Sequence, residues 1–99
     1  MTLSSLLAEL SSRSLHLVIK EDRLVVRGEG NKEDLLPDLR DHKPALLRLF
    51  RPRGTRWGDD LLKAPPEAQE RWWEKTLAFE AQDYPPRLAE YLAWEERDR

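Results

Sequence analysis

The leucines of this chain change period twice within fifty residues, and few folds accommodate such a pattern. Leu3, Leu6, Leu7 and Leu10 recur at i, i+3, i+4 and i+7, the stripe of one helix face. Thr2 or Ser4 can cap its start, and Ser11, Ser12 and Ser14, poorer helix formers, mark its end. From Leu15 the period is two. In LHLVIK, Leu15, Leu17 and Ile19 share one side while His16, Val18 and Lys20 share the other. In RLVVRG, Leu24 and Val26 lie opposite Val25 and Arg27. Two alternating runs joined only by Glu21, Asp22 and at most Arg23 predict a β-hairpin, with Gly28 and Gly30 ending its second strand. The loop is not Asn-Gly, so the turn type stays open.

The helical period then returns. Asn31 or Lys32 precedes Glu33 and Asp34, acidic residues that suit a helix N-terminus. Leu35, Leu36 and Leu39 form the apolar side. Pro37 lies near the first turn, where its ring opposes the preceding turn, so this helix should start late or be distorted. Pro44 disfavours the α region at Lys43, which ends the helix, and is itself well placed to open the next one. Leu46, Leu47, Leu49 and Phe50 continue the pattern at once. The corner at His42–Pro44 lets two short helices cover one face of a two-stranded sheet, which is marginal in water alone.

A leucine-striped helix, the hairpin LHLVIKEDRLVVRG and the run DLLPDLRDHKPALLRLFR together resemble the TubC-type N-terminal docking domain of nonribosomal peptide and polyketide synthetases. The resemblance covers about residues 2–51, and is most specific over Leu39, Arg40, His42, Lys43, Pro44, Leu46, Leu47, Leu49 and Phe50. It implies an α-β-β-α-α arrangement, homodimerisation, and capture of a short peptide from a protein partner along the exposed hairpin. Strand addition of this kind draws affinity from main-chain hydrogen bonds and specificity from alternate side chains. By this resemblance the partner-binding residues are His16, Val18, Lys20, Arg23, Val25 and Arg27.

The second half differs in character. Residues 51–99 hold all four tryptophans, both tyrosines and Phe79. The expected organisation is a docking-like domain over 1–52, a connector over 53–64 that carries Gly54 and Gly58, and a Trp-rich helical hairpin over 65–99. Pro65 and Pro66 open a helix with Ala68, Trp72, Trp73, Leu77 and Ala81 in spacing, and Tyr84–Pro86 breaks it. A last helix is read with Leu88, Tyr91, Leu92 and Trp94 on one side and Glu90, Glu95 and Glu96 on the other. Neither helix buries its face alone, so the pair must pack on the first part or on a partner. Whether Trp57, Trp72, Trp73 and Trp94 serve a core or an interface is open, since tryptophan suits both. The fold class is α+β: helix, β-hairpin, two short helices, then a C-terminal helical hairpin.

Composition narrows the function classes. The net charge of −2 supplies no global field toward nucleic acid or membrane. There is no cysteine, so disulfides and thiolate metal sites are excluded. The N-terminus lacks the pattern of a signal peptide, and no apolar run approaches a membrane span, so a cytoplasmic protein without membrane contact is expected. His16 and His42 have no ligand neighbours at metal spacing, and Gly58–Asp60 reads as a solvated turn and helix cap. No phosphate loop or nucleophile elbow is present, and a non-catalytic protein without cofactor or metal is the expectation. The rival signal is basic. Arg48, Arg51, Arg53 and Arg56 fall within nine residues beside Trp57, a set that could grip phosphate and stack on a base. It would suit a nucleic-acid-binding accessory protein of a phage or other mobile element, whereas a pI near 5.7 favours a docking or adaptor role.

Overall fold

A computed structural model describes residues 1–97. The chain is α+β and divides into two compact units, Met1–Pro52 and Arg53–Arg99. The first runs in the order the sequence predicts: helix, hairpin, two short helices.

Helix α1, Leu3–Ser12, is capped by Thr2, whose hydroxyl accepts from the Ser5 amide at 3.1 Å. Leu3, Leu6, Leu7 and Leu10 are all buried, as their spacing requires. The helix ends with Ser14 in the left-handed region (φ 57°), and the Leu15 amide returns to the Leu10 carbonyl. Strands β1, His16–Lys20, and β2, Arg23–Arg27, pair antiparallel with Lys20 opposite Arg23 and His16 opposite Arg27. Only Glu21 and Asp22 lie between them. Both have positive φ (49° and 66°), the signature of a type I′ turn, which matches strand twist.

After β2 the chain folds back closely over the end of α1. A side chain at Gly28 (φ 135°) would meet the Ser14 carbonyl at 2.5 Å, and one at Gly30 would meet the Arg13 carbonyl. Arg13 ties the same segment from the other side. Its guanidinium donates to the Asn31 carbonyl at 3.1 Å and to both carboxylate oxygens of Asp34 at 2.7 and 3.0 Å. This bidentate bond to Arg13 holds the Asp34 carboxyl below its ordinary pKa.

The effect of Pro37 is resolved by geometry. Glu33–Leu35 forms a 3₁₀ turn, and α2, Leu36–Asp41, begins late, so that Pro37 falls in its first turn. The change of winding splits the expected leucine face. Leu35 and Leu39 are buried, while Leu36 is 42% exposed. His42 ends α2 and begins α3, Lys43–Leu49, which packs on β2 and α2. Its ring lies 2.9 Å from the Met1 carbonyl, which joins the corner to the start of the chain. Leu46 and Leu49 are fully buried.

In the second unit the stretch read as a connector over 53–64 is largely helical. Helix α4, Arg56–Lys63, is capped by the Thr55 hydroxyl, which accepts from the Gly58 amide at 3.1 Å. Gly58 and Asp59–Asp60 are thus helical residues, and the cap precedes them. Helices α5, Pro66–Ala81, and α6, Pro86–Glu95, pack against each other as the expected hairpin. Their inward faces match the expected ones at Trp72 and Trp94 and differ elsewhere. Gln69, Trp72 and Thr76 are buried on α5, whereas Leu77 is 46% exposed. On α6 the buried residues are Ala89, Glu90, Ala93 and Trp94, whereas Leu88 and Tyr91 are exposed. Small Ala89 and Ala93 permit a close helix approach that Leu88 would not. Gln69, Thr76 and Trp72 all place their buried polar atoms on main-chain carbonyls. Gln69 donates to the Leu61 and Leu62 carbonyls at 3.0 and 3.4 Å, and the Thr76 hydroxyl donates to the Trp72 carbonyl at 2.8 Å. The Trp72 indole donates to the Glu90 carbonyl at 3.0 Å.

Candidate functional site

Three of the residues predicted to bind a partner lie on β1 and three on β2, and the register pairs them across the hairpin. His16 faces Arg27, Val18 faces Val25 and Lys20 faces Arg23. All six therefore occupy one side of the sheet, by the two-residue period of both strands. The four polar members are exposed and the valine pair is half-buried. Like charges directly opposite each other, as Lys20 and Arg23 are, destabilise a hairpin by a few tenths of a kcal/mol. Glu21 and Asp22 in the adjoining turn offset part of this, and an incoming carboxylate would offset more.

The other side of β2 borders a groove that the sequence did not reveal. It has a volume of about 350 Å³ and is lined by Arg23, Leu24 and Val26 from β2, Leu36, Leu39 and Arg40 from α2, and Lys43 from α3. Its floor is apolar and its polar lining residues are all cationic. Arg40 and Lys43 belong to the helical corner, and their role as a wall follows from Pro37 and Pro44, which set where α2 starts and where α3 departs. The signal in the sequence was present but faint: Leu36 is one leucine too many for a short helix with a single buried face.

Strand geometry gives this groove a main-chain edge. Lys20 and Arg23 close a two-residue loop, so the pairs that exchange backbone hydrogen bonds are Lys20–Arg23, Val18–Val25 and His16–Arg27. The N–H and C=O groups of Leu24 and Val26 then point away from β1. The Lys32 ammonium donates to the Val26 carbonyl at 3.3 Å, as an outward-pointing acceptor allows.

The arginine run of the sequence spans both units. Arg48 and Arg51 belong to the first unit, and Arg53, Arg56 and Trp57 to the second. Arg51 and Arg56 are exposed and Arg48 half-buried. Arg53 must be withdrawn from the nucleic-acid set, because only 6% of its side chain is exposed. Its guanidinium lies 5.1 Å from the ring centroids of both Trp57 and Trp72, and its Nε makes an ion contact of 3.7 Å with Glu90, whose side chain is 2% exposed. A planar, weakly hydrated cation stacks on indoles at low desolvation cost, and this explains why arginine fills the position. Gly58 contributes by omission: a Cβ there would come within about 3 Å of the Arg53 side chain. Trp57 is half-buried against Tyr91 and Trp94, with ring centroids 6.0 and 6.4 Å away, so it is not a free stacking platform. Arg97 lies over Trp94 at 3.9 Å. A hydrogen bond to Glu95 raises the Tyr91 pKa.

His16 is exposed on its strand, and His42 is engaged at the corner between α2 and α3. Among the described residues no group of three or more histidines, cysteines or carboxylates is placed to hold a metal ion, and no helix is long and apolar enough to cross a membrane. Compared with family models, curated proteins and solved structures, the chain matches none.

Proposed function

We propose that this protein is a cytoplasmic, non-catalytic docking module that captures an extended peptide of a protein partner along β2. The observation that carries the reading is the groove beside that strand. An apolar floor, a cationic rim and outward main-chain groups stand together at Arg23, Leu24, Val26, Leu36, Arg40 and Lys43. An incoming strand gains main-chain bonds at Leu24 and Val26, buries alternate side chains on the floor and places carboxylates on the rim. The basic outer face of the hairpin, at His16, Lys20, Arg23 and Arg27, favours the same acidic partner. The resemblance of residues 2–51 to TubC-type docking domains agrees with this reading and adds homodimerisation to it, which sedimentation would measure.

The test is a tagged pull-down from lysate, with and without nuclease, run for the wild type beside Arg23→Glu and Arg40→Glu. Both residues are exposed, so the variants should fold. A protein that survives nuclease and is lost with either variant supports the proposal. Enrichment that disappears with nuclease, or a partner retained by both variants, overturns it; the first result would favour nucleic acid instead.

A further inference from the structure

The acceptor that an incoming strand must reach is already occupied. Of the main-chain groups that β2 turns away from β1, the Val26 carbonyl receives the Lys32 ammonium at 3.3 Å. Lys32 reaches it from a fixed base. The Asn31 carbonyl accepts from Arg13 at 3.1 Å, the Asn31 side chain accepts from the Glu33 amide at 3.1 Å, and the Lys32 carbonyl accepts from the Leu35 amide at 3.0 Å. The backbone on both sides of Lys32 is thus pinned, while its long side chain is exposed. Lysine beside a strand edge is also a recurrent means of discouraging indiscriminate strand pairing.

We infer that Lys32 is a latch on the β2 edge, held on the Val26 carbonyl in the free protein and transferred to a carboxylate of the incoming strand on docking. The inference rests on the docking reading and deepens it by naming a selectivity element. A neutral strand displaces the ammonium from the carbonyl, returns it to water and offers nothing in exchange. A strand with Asp or Glu near Val26 provides a stronger acceptor as it takes the carbonyl, because an ammonium–carboxylate pair replaces a bond from the ammonium to a neutral carbonyl. The latch therefore rejects neutral strands, including the edges of other copies, and admits an acidic strand in one register.

The probes are synthetic ten-residue strands of alternating Thr and Val, capped at both ends, each carrying one Asp at a different position, with Asn counterparts. Affinities are measured by calorimetry for the wild type and for Lys32→Met, which keeps the aliphatic stem. At one position the wild type should prefer Asp over Asn by roughly tenfold, the worth of one charge-assisted bond. In Lys32→Met that preference should fall close to unity, and the Asn strand should bind more tightly than it does to the wild type. An unchanged preference in Lys32→Met overturns the latch and leaves strand capture standing. No binding of any probe to either protein removes strand capture and the latch with it. A ligand-free measurement separates the cases further. The carbonyl carbon of Val26 should shift in the NMR spectrum of Lys32→Met while the β1–β2 amides stay in place; an unmoved carbonyl overturns the latch.

Discussion

Replacing Arg53 by Met tests how the second unit is held together. The side chains of Arg53 and Glu90 are 6% and 2% exposed. Each therefore depends on protein groups rather than water to offset its lost hydration. Arg53→Met removes the cation and leaves a carboxylate in a site with almost no access to solvent, a loss worth about 3–5 kcal/mol in comparable buried pairs. It also removes a guanidinium from two indoles at 5.1 Å, each contact worth about 0.5–2 kcal/mol and overlapping with the first figure. Glu90→Met should cost a similar amount, since it removes the counter-charge from a guanidinium with little access to water. The double variant should lie within about 2 kcal/mol of the wild type, because apolar residues of similar volume replace a buried pair at little net cost. The cycle therefore predicts a coupling of at least about 4 kcal/mol. The assay is urea denaturation read by tryptophan fluorescence. All four tryptophans lie between residues 57 and 94, so the signal reports this unit alone. Additive costs in the double variant, or a cost below about 1 kcal/mol for Arg53→Met, would refute the reasoning.

Other perturbations act elsewhere. Gly28→Ala should destabilise the first unit by about 2–3 kcal/mol in chemical denaturation followed by circular dichroism, since its φ of 135° and the nearby Ser14 carbonyl leave no relaxed position for a methyl group. Gln69→Leu should cost about 0.5–1.5 kcal/mol in the fluorescence assay, because the Leu61 and Leu62 carbonyls lose the Gln69 amide while Leu61 keeps the Ala64 amide. Arg56→Ser should stay within about 0.5 kcal/mol of the wild type, as an exposed cation at a helix N-terminus contributes little. The Asp34–Arg13 pair should act through pH. The folded Asp34 is the stronger acid, so the unfolded chain binds more protons as the pH falls. The advantage of the wild type over Asp34→Asn should be complete above the ordinary aspartate pKa of about 3.9 and vanish below the lowered folded value. An advantage independent of pH in a series of denaturation curves would contradict this.

The first unit was largely legible because its elements are specified by apolar periodicity. Leu3, Leu6, Leu7 and Leu10 are buried together, and the two strands occupy the spans their alternation predicts. The groove was hidden there, because it depends on a phase shift. A 3₁₀ turn over Glu33–Leu35 turns Leu36 outward, and nothing in the apolar pattern distinguishes Leu36 from Leu35. In the second unit the helices α5 and α6 were legible from their prolines, but their faces were not. Leu77 and Leu88 look like core residues and are exposed, while Gln69 and Glu90 look like surface residues and are buried. Hydrophobic periodicity fails when small and polar residues form the contact, because the energy then lies in specific partners that are distant in sequence. Helix α4 escaped for the same reason. Its buried residues are Gly58 and Leu61, too few to make a stripe, and two of its last carbonyls, Leu61 and Leu62, accept from the distant Gln69.

The two units use arginine in opposite ways, and this bears on how a basic run should be read. Arg51, Arg53 and Arg56 are spaced within six residues, yet the outer two are exposed and the middle one is buried. Proximity in sequence therefore did not give the three a common exposure. Two independent features decide the outcome for Arg53. Gly54, at φ 64°, takes the turn that leads from Arg53 into the Thr55 cap, and Gly58 leaves room for the Arg53 stem beside α4. A basic run interrupted by glycines and followed by tryptophans is thus as consistent with one internal cation as with a phosphate-binding surface. On the hairpin the opposite holds. A strand has no room to fold a long side chain under itself, so His16, Lys20, Arg23 and Arg27 stay in solvent on a common face. The cations that can meet a partner are those that alternate along the strands and line the groove beside them, and it is there that the docking reading places recognition.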